Sequence, residues 1–180
     1  MQKQHNRGQD GAGLATINLN VPLGSRYISR HRSNDNKPIQ DLFEYVNKRF
    51  VELMNTDPQK LNDIKWLQEN VAFTGELLLG HLRYGTYGGN GIEQCHPFLR
   101  QSNWRTRSLV LAGNFNMTNV DELFNQLVEI GQHPKENADT ITILEKIGHF
   151  LDEENDRIYY DKSDKYSKKE ISKVIAHDLN

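Results

Sequence analysis

Apolar positions along the chain repeat at two spacings, one typical of strands and one typical of helices. Residues 13–20 are rich in β-forming residues in loose alternation, and 26–32 follow after a turn at 22–24, so both segments are predicted as strands. Residues 77–84 are too continuously apolar for a strand that faces solvent, and we expect them at the centre of a sheet. Residues 108–112 predict a further buried strand.

Helical spacing begins near Pro38, a residue suited to the first position of a helix. The apolar residues that follow at this spacing are Leu42, Phe43, Val46, Phe50, Leu53 and Met54. Asp57 and Pro58 predict the N-cap and first residue of a second helix that reaches about Asn70. Its buried residues are predicted to be Leu61, Ile64 and Leu67.

Two longer helices and a short one are predicted in the second half of the chain. Thr118 or Asn119 would cap the third helix, whose buried side comprises Val120, Leu123, Leu127 and Ile130. Asp139 would cap the fourth, with an apolar stripe of Ile143, Leu144, Ile147 and Leu151. Ser167 and Glu170 match a capping box and predict a short terminal helix. Strands flanked by helices, joined as hairpins rather than as regular βαβ units, indicate the α+β class.

The composition and net charge of the chain argue against two classes of binding partner, nucleic acids and membranes. A chain of 180 residues has room for one ordinary domain, and its net charge of -2 gives no electrostatic reason to bind nucleic acid or an anionic membrane. The small group of Arg100, Arg105 and Arg107 is typical of a solvated face. No apolar run approaches the roughly 18 residues that a membrane span needs. We therefore expect neither nucleic acid nor a membrane as a partner.

The number and spacing of the cysteine and histidine residues argue against disulfide bonds and metal sites. The single Cys95 excludes an internal disulfide and a cysteine-rich zinc site, and it fits a reducing cytoplasm. The seven histidines lack the spacing of metal ligands, so no metal is expected. We interpret Cys95 as a packed or loop cysteine rather than as a nucleophile.

Several separated segments carry a resemblance to a known family. They are 4–13 (QHNRGQDGAG), 80–86 (GHLRYGT), 96–98 (HPF), 113–119 (GNFNMTN) and the pair Asp139-Thr140. In this order they resemble the QHRGQ, GHxRYxT, polar-Pro-Phe, HNGNLTN and D-T/S elements of the class II glutamine amidotransferases. The closest likeness is to the glutaminase half of amidophosphoribosyltransferases. Each segment alone is a weak signal, but together they cover roughly residues 1–152.

The resemblance implies the fold of the N-terminal-nucleophile hydrolases, a four-layer αββα sandwich of two antiparallel sheets. It implies a glutamine amidotransferase domain over 1–155, followed over 156–180 by a charged tail with a short helix that begins a missing C-terminal region. Such a domain hydrolyses glutamine to glutamate and ammonia, which the family transfers to phosphoribosyl pyrophosphate in purine biosynthesis. The implied partners are glutamine and a phosphoribosyltransferase domain, with no cofactor in this domain. A cytoplasmic location is expected, and a homo-oligomer is left open.

The resemblance also implies roles for individual residues. Arg83 would bind the α-carboxylate of glutamine with its guanidinium fork, and Asp139 would bind the α-ammonium. Asn114 and the backbone N–H of Phe115 would form the oxyanion hole. Thr86 is a weaker candidate for the carboxylate end. Arg7 and Gly8 would shape the wall near the nucleophile.

Each of these residues also has a purely structural interpretation. Arg83 could form a surface ion pair at a strand end, and Asp139 could be a plain helix cap. Thr86 and Asn114 are residue types common in turns. Residues 5–13, which include Arg7 and Gly8, could be a tight turn that leads into a strand.

The sequence departs from the family pattern in three places. The family opens with Cys-Gly-Ile/Val and then a strand and a helix before the QHRGQ segment, whereas here Gln2 follows Met1 directly. We therefore expect this chain to lack the nucleophile and the first strand and helix, to be inactive alone, and to leave one sheet with an unpaired edge. Phe115 stands where the family has glycine, and Gly113 where it has histidine, which puts the oxyanion-hole geometry in doubt. The phosphoribosyltransferase sequence itself does not appear.

Three functional hypotheses follow. The first is a truncated amidophosphoribosyltransferase-like glutaminase. The second is a catalytically dead glutamine-binding or assembly module that retains the pocket. The third is the glutaminase domain of another amidotransferase, of the glucosamine-phosphate or asparagine synthase type, since the acceptor is set by another domain.

Overall fold

A computed structural model describes residues 1–7, 10–85, 91–167 and 170–179, with only the backbone at Gln2, His5 and Arg7. The chain divides into two compact units, Met1–Pro97 and Phe98–Asn180. Each unit holds one antiparallel sheet with helices packed on it. The predicted α+β class with two antiparallel sheets is confirmed, and these elements are consistent with those of the sandwich fold.

The first unit is built on three antiparallel strands. They are β1 (Gly11–Ile17), β2 (Ile28–Ser33) and β3 (Leu77–Arg83), in the order β2-β1-β3. Gly13 of β1 lies opposite Arg32 on one side and His81 on the other. Because side chains alternate between faces along a strand, this register places Arg32, His81 and Arg83 on the same face of the sheet.

The other face of this sheet packs against a long helix, α1 (Pro38–Thr56). Pro38 occupies the first turn as predicted, where its missing N–H costs nothing. Leu42 is fully buried against Ala12 and Leu14 of β1. Met54, which was predicted to face the core, is instead 55% exposed near the end of the helix.

The prediction of a central strand at residues 77–84 is wrong, because β3 lies at an edge of the sheet. In the described part of the chain β3 pairs with β1 alone, and β1 is the central strand. Leu77, Leu78 and Leu79 are 53%, 67% and 37% exposed. Strand β1 is rich in small residues, and it pairs with a strand on each side while another segment packs closely on its face. The spacing of apolar residues along the sequence does not reveal this arrangement.

The predicted second helix is split into two pieces. A 3-10 turn covers Pro58–Asn62, and α2 covers Ile64–Asn70. Asp63 interrupts them because its carboxylate accepts a hydrogen bond from the backbone N–H of Trp66 and so caps a new helix. Ile64, predicted to be buried, is 72% exposed at the start of this helix.

The second unit contains β4 (Phe98–Arg100), β5 (Leu109–Leu111) and three helices. The helices are α3 (Val120–Glu129), α4 (Asp139–Lys162) and α5 (Ile171–Asp178). β4 and β5 form a two-stranded antiparallel sheet, and β4 is a strand that the sequence did not predict. Phe98 packs with Ile141 and Leu144 of α4 beneath this sheet. A second cluster joins the end of α4 to α5 through Ile158, Ile171 and Ile175.

The predicted apolar stripe of α4 is only partly right. Leu144 is buried, but Ile147 is 38% exposed, and the buried face includes polar and small residues. Its buried members are Thr140, Ile141, Thr142, Leu144, Gly148, Asn155 and Ile158. The stripe follows this line because the side chain of Arg100 from β4 lies over Gly148, and the amide of Asn155 donates to the carbonyl oxygen of Thr106, between β4 and β5. On α3, Leu127 is buried as predicted, whereas Ile130 is 51% exposed just after the last helical residue.

The helix ends differ in how far they follow the sequence signals. Asn119 is the N-cap of α3, but no hydrogen bond of its side chain caps the helix. Ala138, not Asp139, is the N-cap of α4. The carboxylate of Glu170 accepts from the N–H and the hydroxyl of Ser167, and α5 follows as predicted. Helix α4 runs through residue 156, while the domain boundary proposed there stays a prediction. None of the helices in the described residues is both long and apolar enough for a membrane span.

Candidate functional site

A short segment that we call the strap, residues 93–97, lies across one face of the first sheet. Two glycines of β1 make room for it. A Cβ on Gly13 would lie 1.9 Å from the carbonyl oxygen of His96, and a Cβ on Gly11 would lie 2.6 Å from the sulfur of Cys95. Gly11 and Gly13, the last two glycines of the QHNRGQDGAG segment, therefore allow the strap to lie directly on the backbone of the central strand.

Arginines from β2 hold the strap by its backbone. Nη1 of Arg32 donates to the carbonyl oxygen of Cys95 at 2.8 Å, and Nη1 of Arg30 donates to that of Pro97 at 3.4 Å. These carbonyls lie across the strands of the sheet and take no part in its ladder. The guanidinium groups therefore satisfy polar atoms that burial would otherwise leave unpaired.

Arg83 lies at the end of β3 on the same face and is 8% exposed. Its Nη2 donates to the side-chain oxygen of Gln94 at 2.6 Å. Its carbonyl accepts from the N–H of Asp10, and the carboxylate of Asp10 accepts from the N–H of Gly85 at 2.7 Å. Arg83 is therefore a nearly enclosed cation held by a contact with Gln94.

Two histidines stack beside this arginine. The ring centroids of His81 and His96 lie 4.4 Å apart. Burial lowers the pKa of His96 to about 4, helped by the neighbouring His81, Arg83 and Arg32. Burial, and then the charge of Arg83, also lower the pKa of His81. Both rings are therefore neutral at pH 7.

Cys95, a residue of the strap, is fully buried, with its sulfur against Gly11 of β1. Burial raises the pKa of its thiol, against a lowering effect from Arg83. A buried thiol held in its protonated form is a poor nucleophile, which supports its interpretation as a packed residue.

In the second unit, the turn after β5 carries Asn114 and Phe115. Asn114 is exposed, and the ring of Phe115 lies over the backbone of Gly113, where an added Cβ would be 2.3 Å from Cζ. Among the described non-glycine residues only Phe73 has a positive φ. Phe115 therefore occupies its position without the backbone strain that its replacement of a glycine suggested.

Asp139 is the first residue of α4 and lies next to this turn. One oxygen of its carboxylate, Oδ2, accepts from the backbone N–H of Met117 at 2.9 Å. The helix thus begins with a half-buried carboxylate that ties down the segment following Asn114 and Phe115. A carboxylate in this first turn is also favoured by the helix dipole.

The arginine group predicted to form a solvated face instead includes two members of a partly buried ion-pair network. The guanidinium of Arg100 binds Glu145 and both carboxylate oxygens of Asp152 on α4. Arg107 binds Asp152 and Asp156 on the same helix. The hydrogen bond with Asp152 is the main cause that raises the pKa of Arg100. Only Arg105 of the three remains exposed.

The predicted site residues are thus distributed over both units. Arg83 belongs to the first unit, and Asn114, Phe115 and Asp139 belong to the second, where the structure brings their backbone segments together. Gly8 and Thr86 lie outside the described residues, and Arg7 ends a 3-10 helix, Gln2–Arg7, with only its backbone described. The assigned roles therefore stay predictions.

Sequence reasoning missed Gln94 and Arg32, two residues that surround Arg83 and the strap. Arg32 lies directly across β1 from His81, so a correct pairing of the three strands would have brought it to this face. Gln94 had no signal, because a lone glutamine in a glycine-rich stretch is an ordinary surface residue. In the described part of the chain no group of three or more His, Cys, Asp or Glu side chains is arranged to hold a metal ion.

Comparison with known proteins agrees on one family. The amidophosphoribosyltransferase of Bacillus subtilis is 37% identical to the chain in an alignment of 110 residues that covers 54% of the chain and 23% of that protein. The amidophosphoribosyltransferase of Methanothermobacter thermautotrophicus is 28% identical over 156 residues, 87% of the chain and 26% of that protein. The one from Archaeoglobus fulgidus is 27% identical over 135 residues, 74% of the chain and 28% of that protein.

The chain spans about a quarter of the length of these relatives. No protein-family model matches it, and no solved structure matches it significantly.

Proposed function

We propose, from the premise that the chain is an amidophosphoribosyltransferase-like glutamine amidotransferase domain, that it binds L-glutamine for hydrolysis to glutamate and ammonia. The ammonia would be transferred to phosphoribosyl pyrophosphate by a phosphoribosyltransferase domain outside these 180 residues. The observation that carries this proposal is the contact between Asp139 and the N–H of Met117, because it joins the proposed ammonium-binding carboxylate to the proposed oxyanion turn. We propose no cofactor for this domain and a cytoplasmic location.

Each end of glutamine would meet a complementary group. Arg83 is a nearly enclosed guanidinium, which suits recognition of an α-carboxylate. Asp139 has a second carboxylate oxygen, Oδ1, that we assign to the α-ammonium. The exposed amide of Asn114 and the N–H of Phe115 would stabilise the oxyanion formed when the carboxamide is attacked. Thr86, Arg7 and Gly8 are the further residues that we propose to contact glutamine.

The binding part of the proposal is tested by calorimetric titration of the whole chain with L-glutamate, the product. Loss of one charge-assisted contact costs about 2 kcal/mol, so Arg83→Ala and Asp139→Asn should each weaken binding about 30-fold. Arg49→Ala and Asp121→Asn are matched controls, because Arg49 is an exposed cation of α1 and Asp121 an acidic residue in the first turn of α3. Equal affinity in all four variants would overturn the assigned roles.

A second function, a glutamine-binding or assembly module without catalysis, is favoured by one observation. The only thiol within these residues is that of Cys95, and it is fully buried with a raised pKa. The family chemistry uses an N-terminal cysteine whose own α-amino group serves as the base.

N-terminal sequencing of the protein purified from its source separates the two functions. A cysteine ahead of this segment supports the glutaminase. A native start at Met1 leaves a glutamine-binding module, for which ammonia release from glutamine should not exceed the rate in buffer. If the native protein continues past residue 180, the type of domain found there, phosphoribosyltransferase, glucosamine-phosphate synthase or asparagine synthase, identifies the acceptor.

A further inference from the structure

The contact between Arg83 and Gln94 places a carboxamide oxygen of the chain itself on the guanidinium proposed to bind glutamine. The donor–acceptor distance is 2.6 Å, short for a hydrogen bond between a nitrogen and an oxygen. With Gln94 in this position Arg83 is 8% exposed. A carboxylate from solvent therefore cannot form a two-pronged contact with Arg83 while the Gln94 side chain stays there.

The backbone of Gln94 is held by groups other than Arg83. It ends the 3-10 turn Ile92–Gln94, at the start of the strap. Arg32 donates to the carbonyl oxygens of the residues on either side, Glu93 at 3.5 Å and Cys95 at 2.8 Å. The side chain of Gln94 can therefore swing away by rotation about its own bonds without moving the strap.

The two competing acceptors differ in strength. An amide oxygen makes a single neutral-acceptor bond to a guanidinium, whereas a carboxylate makes two parallel charge-assisted bonds. A bound α-carboxylate therefore displaces Gln94, but part of its binding free energy is used to do so. The apparent affinity falls by the fraction of molecules in which Arg83 is uncovered.

We propose that Gln94 is an internal competitor that covers Arg83 until the α-carboxylate of the ligand displaces it. This autoinhibitory contact rests on the proposed function, since it presumes that Arg83 is the carboxylate-binding residue. It makes the pocket selective for ligands that carry a carboxylate. A neutral amide group would only replace the amide oxygen of Gln94 on Arg83 with its own, without a gain in binding free energy.

The experiment compares L-glutamate binding to the full chain and to Gln94→Ala, Gln94→Glu and Gln40→Ala by calorimetry. If Gln94 covers Arg83 in about nine molecules of ten, Gln94→Ala should bind about tenfold more tightly than the original chain. Gln94→Glu should bind at least tenfold more weakly, because a carboxylate fixed beside Arg83 competes on equal terms. Gln40 is an exposed glutamine of α1, and its replacement should leave the affinity unchanged.

A second ligand tests the carboxylate dependence. 4-Aminobutanamide lacks the α-carboxylate, so its weak binding should be the same in all these variants. Thermal unfolding of each variant verifies that it folds.

The outcomes distinguish the two proposals. Unchanged or weaker L-glutamate binding by Gln94→Ala, with Arg83 still required, overturns the competitor and makes Gln94 a support for Arg83. If L-glutamate binds equally well after Arg83→Ala, or not at all to the original chain, the proposed function fails and the competitor fails with it.

Discussion

The glycines of β1 decide how closely the strap approaches the sheet. Because a Cβ on Gly13 would overlap a backbone carbonyl, not a flexible side-chain end, neither partner can give way cheaply. Gly11 and Gly13 of this segment are thus explained by packing, whatever the pocket binds. The same packing sets the environment of His96 and Cys95, which follow one another in the strap.

We expect Gly13→Ala to destabilise the chain by about 3 kcal/mol, because the strap must lift from the sheet. Gly80→Ala is the matched control, since its Cβ would meet only the end of the Met1 side chain, 2.9 Å away. Urea unfolding of the two variants measures the difference. Similar losses for both would contradict a specific close approach at Gly13.

Gly113 and Phe115 depend on each other in the packing of the segment after β5. The ring of Phe115 occupies the space above Gly113, so the two departures from the family pattern compensate each other. We expect Gly113→Ala to cost about 2 kcal/mol with Phe115 present and less than about 0.5 kcal/mol in a Phe115→Ala background. Denaturant unfolding of the two single variants and the double variant measures the coupling. If the losses of unfolding free energy in the two single variants add up to the loss in the double variant, Gly113 and the ring of Phe115 do not interact.

At the scale of elements, β3 is an edge strand with the composition of a central one. Its three successive leucines expose apolar surface at a strand edge that no other described strand pairs with, and the run contains no charge, proline or bulge to discourage pairing. This combination is typical of a strand that attracts other strands.

We therefore expect concentration-dependent self-association, reduced by Leu78→Lys, with a free energy of unfolding unchanged within about 0.5 kcal/mol. Leu23→Lys is the matched control, because Leu23 is 98% exposed in a turn away from any strand edge. Sedimentation velocity at several concentrations provides the measurement. If Leu23→Lys reduces association equally, added charge is responsible and not the strand edge.

The β4–β5 hairpin is joined to α4 by charge as well as by apolar packing. Arg100 binds Glu145 and Asp152 and passes directly over Gly148, where a Cβ would lie 2.4 Å from Nε. This joint explains why α4 buries Gly148 and leaves Ile147 partly exposed. The helical period identified a helix here but not which of its faces would meet an arginine.

We expect Arg100→Ala to cost about 3 kcal/mol, because the partly buried Glu145 loses its cation and Asp152 keeps only the 3.9 Å contact with Arg107. Arg157→Ala should cost much less, since Arg157 pairs with Glu154 on the exposed surface of the same helix. Chemical unfolding at low and high salt compares them. If Arg100→Ala lowers the unfolding free energy as little as Arg157→Ala does, the network contributes no more to stability than an exposed ion pair.

For the whole molecule, the stacked histidines couple stability to pH. The pKa of His96 is about 4 in the folded chain and near 6.5 when unfolded, so the unfolded state binds the proton more readily. The stabilising contribution is complete above about pH 6.5 and is lost as the pH falls towards 4. Its size is about 1–2 kcal/mol, after discounting for the part of the ring that water still screens.

We expect the difference in unfolding free energy between the original chain and His96→Phe to change by that amount between pH 7 and pH 4. Phenylalanine keeps an aromatic ring against His81 but cannot take up a proton. His133→Phe is the control, because His133 is exposed. Urea unfolding across this range is the measurement, and a difference that does not vary with pH would contradict a depressed pKa at His96.

The sequence by itself determined the class of fold, a resemblance to one family and the position of most helices and strands. Pro38 predicted the start of α1, because its fixed backbone angle fits the first turn of a helix. Ser167 and Glu170 predicted α5. Both signals depend only on residues that are close in sequence. The ordered motifs pointed to the amidophosphoribosyltransferases, and the comparisons agree. They also singled out Arg83, Asn114 and Asp139.

Only the tertiary structure decided which strand is central, which face of α4 is buried and what touches Arg83. Arg100 and Asp152 are 52 residues apart in sequence, and Arg83 reaches Gln94 across a loop. Such contacts depend on how separate elements pack, because periodicity describes one element at a time. The cover of Arg83 by Gln94 follows from that packing, and no local pattern of residues encodes it.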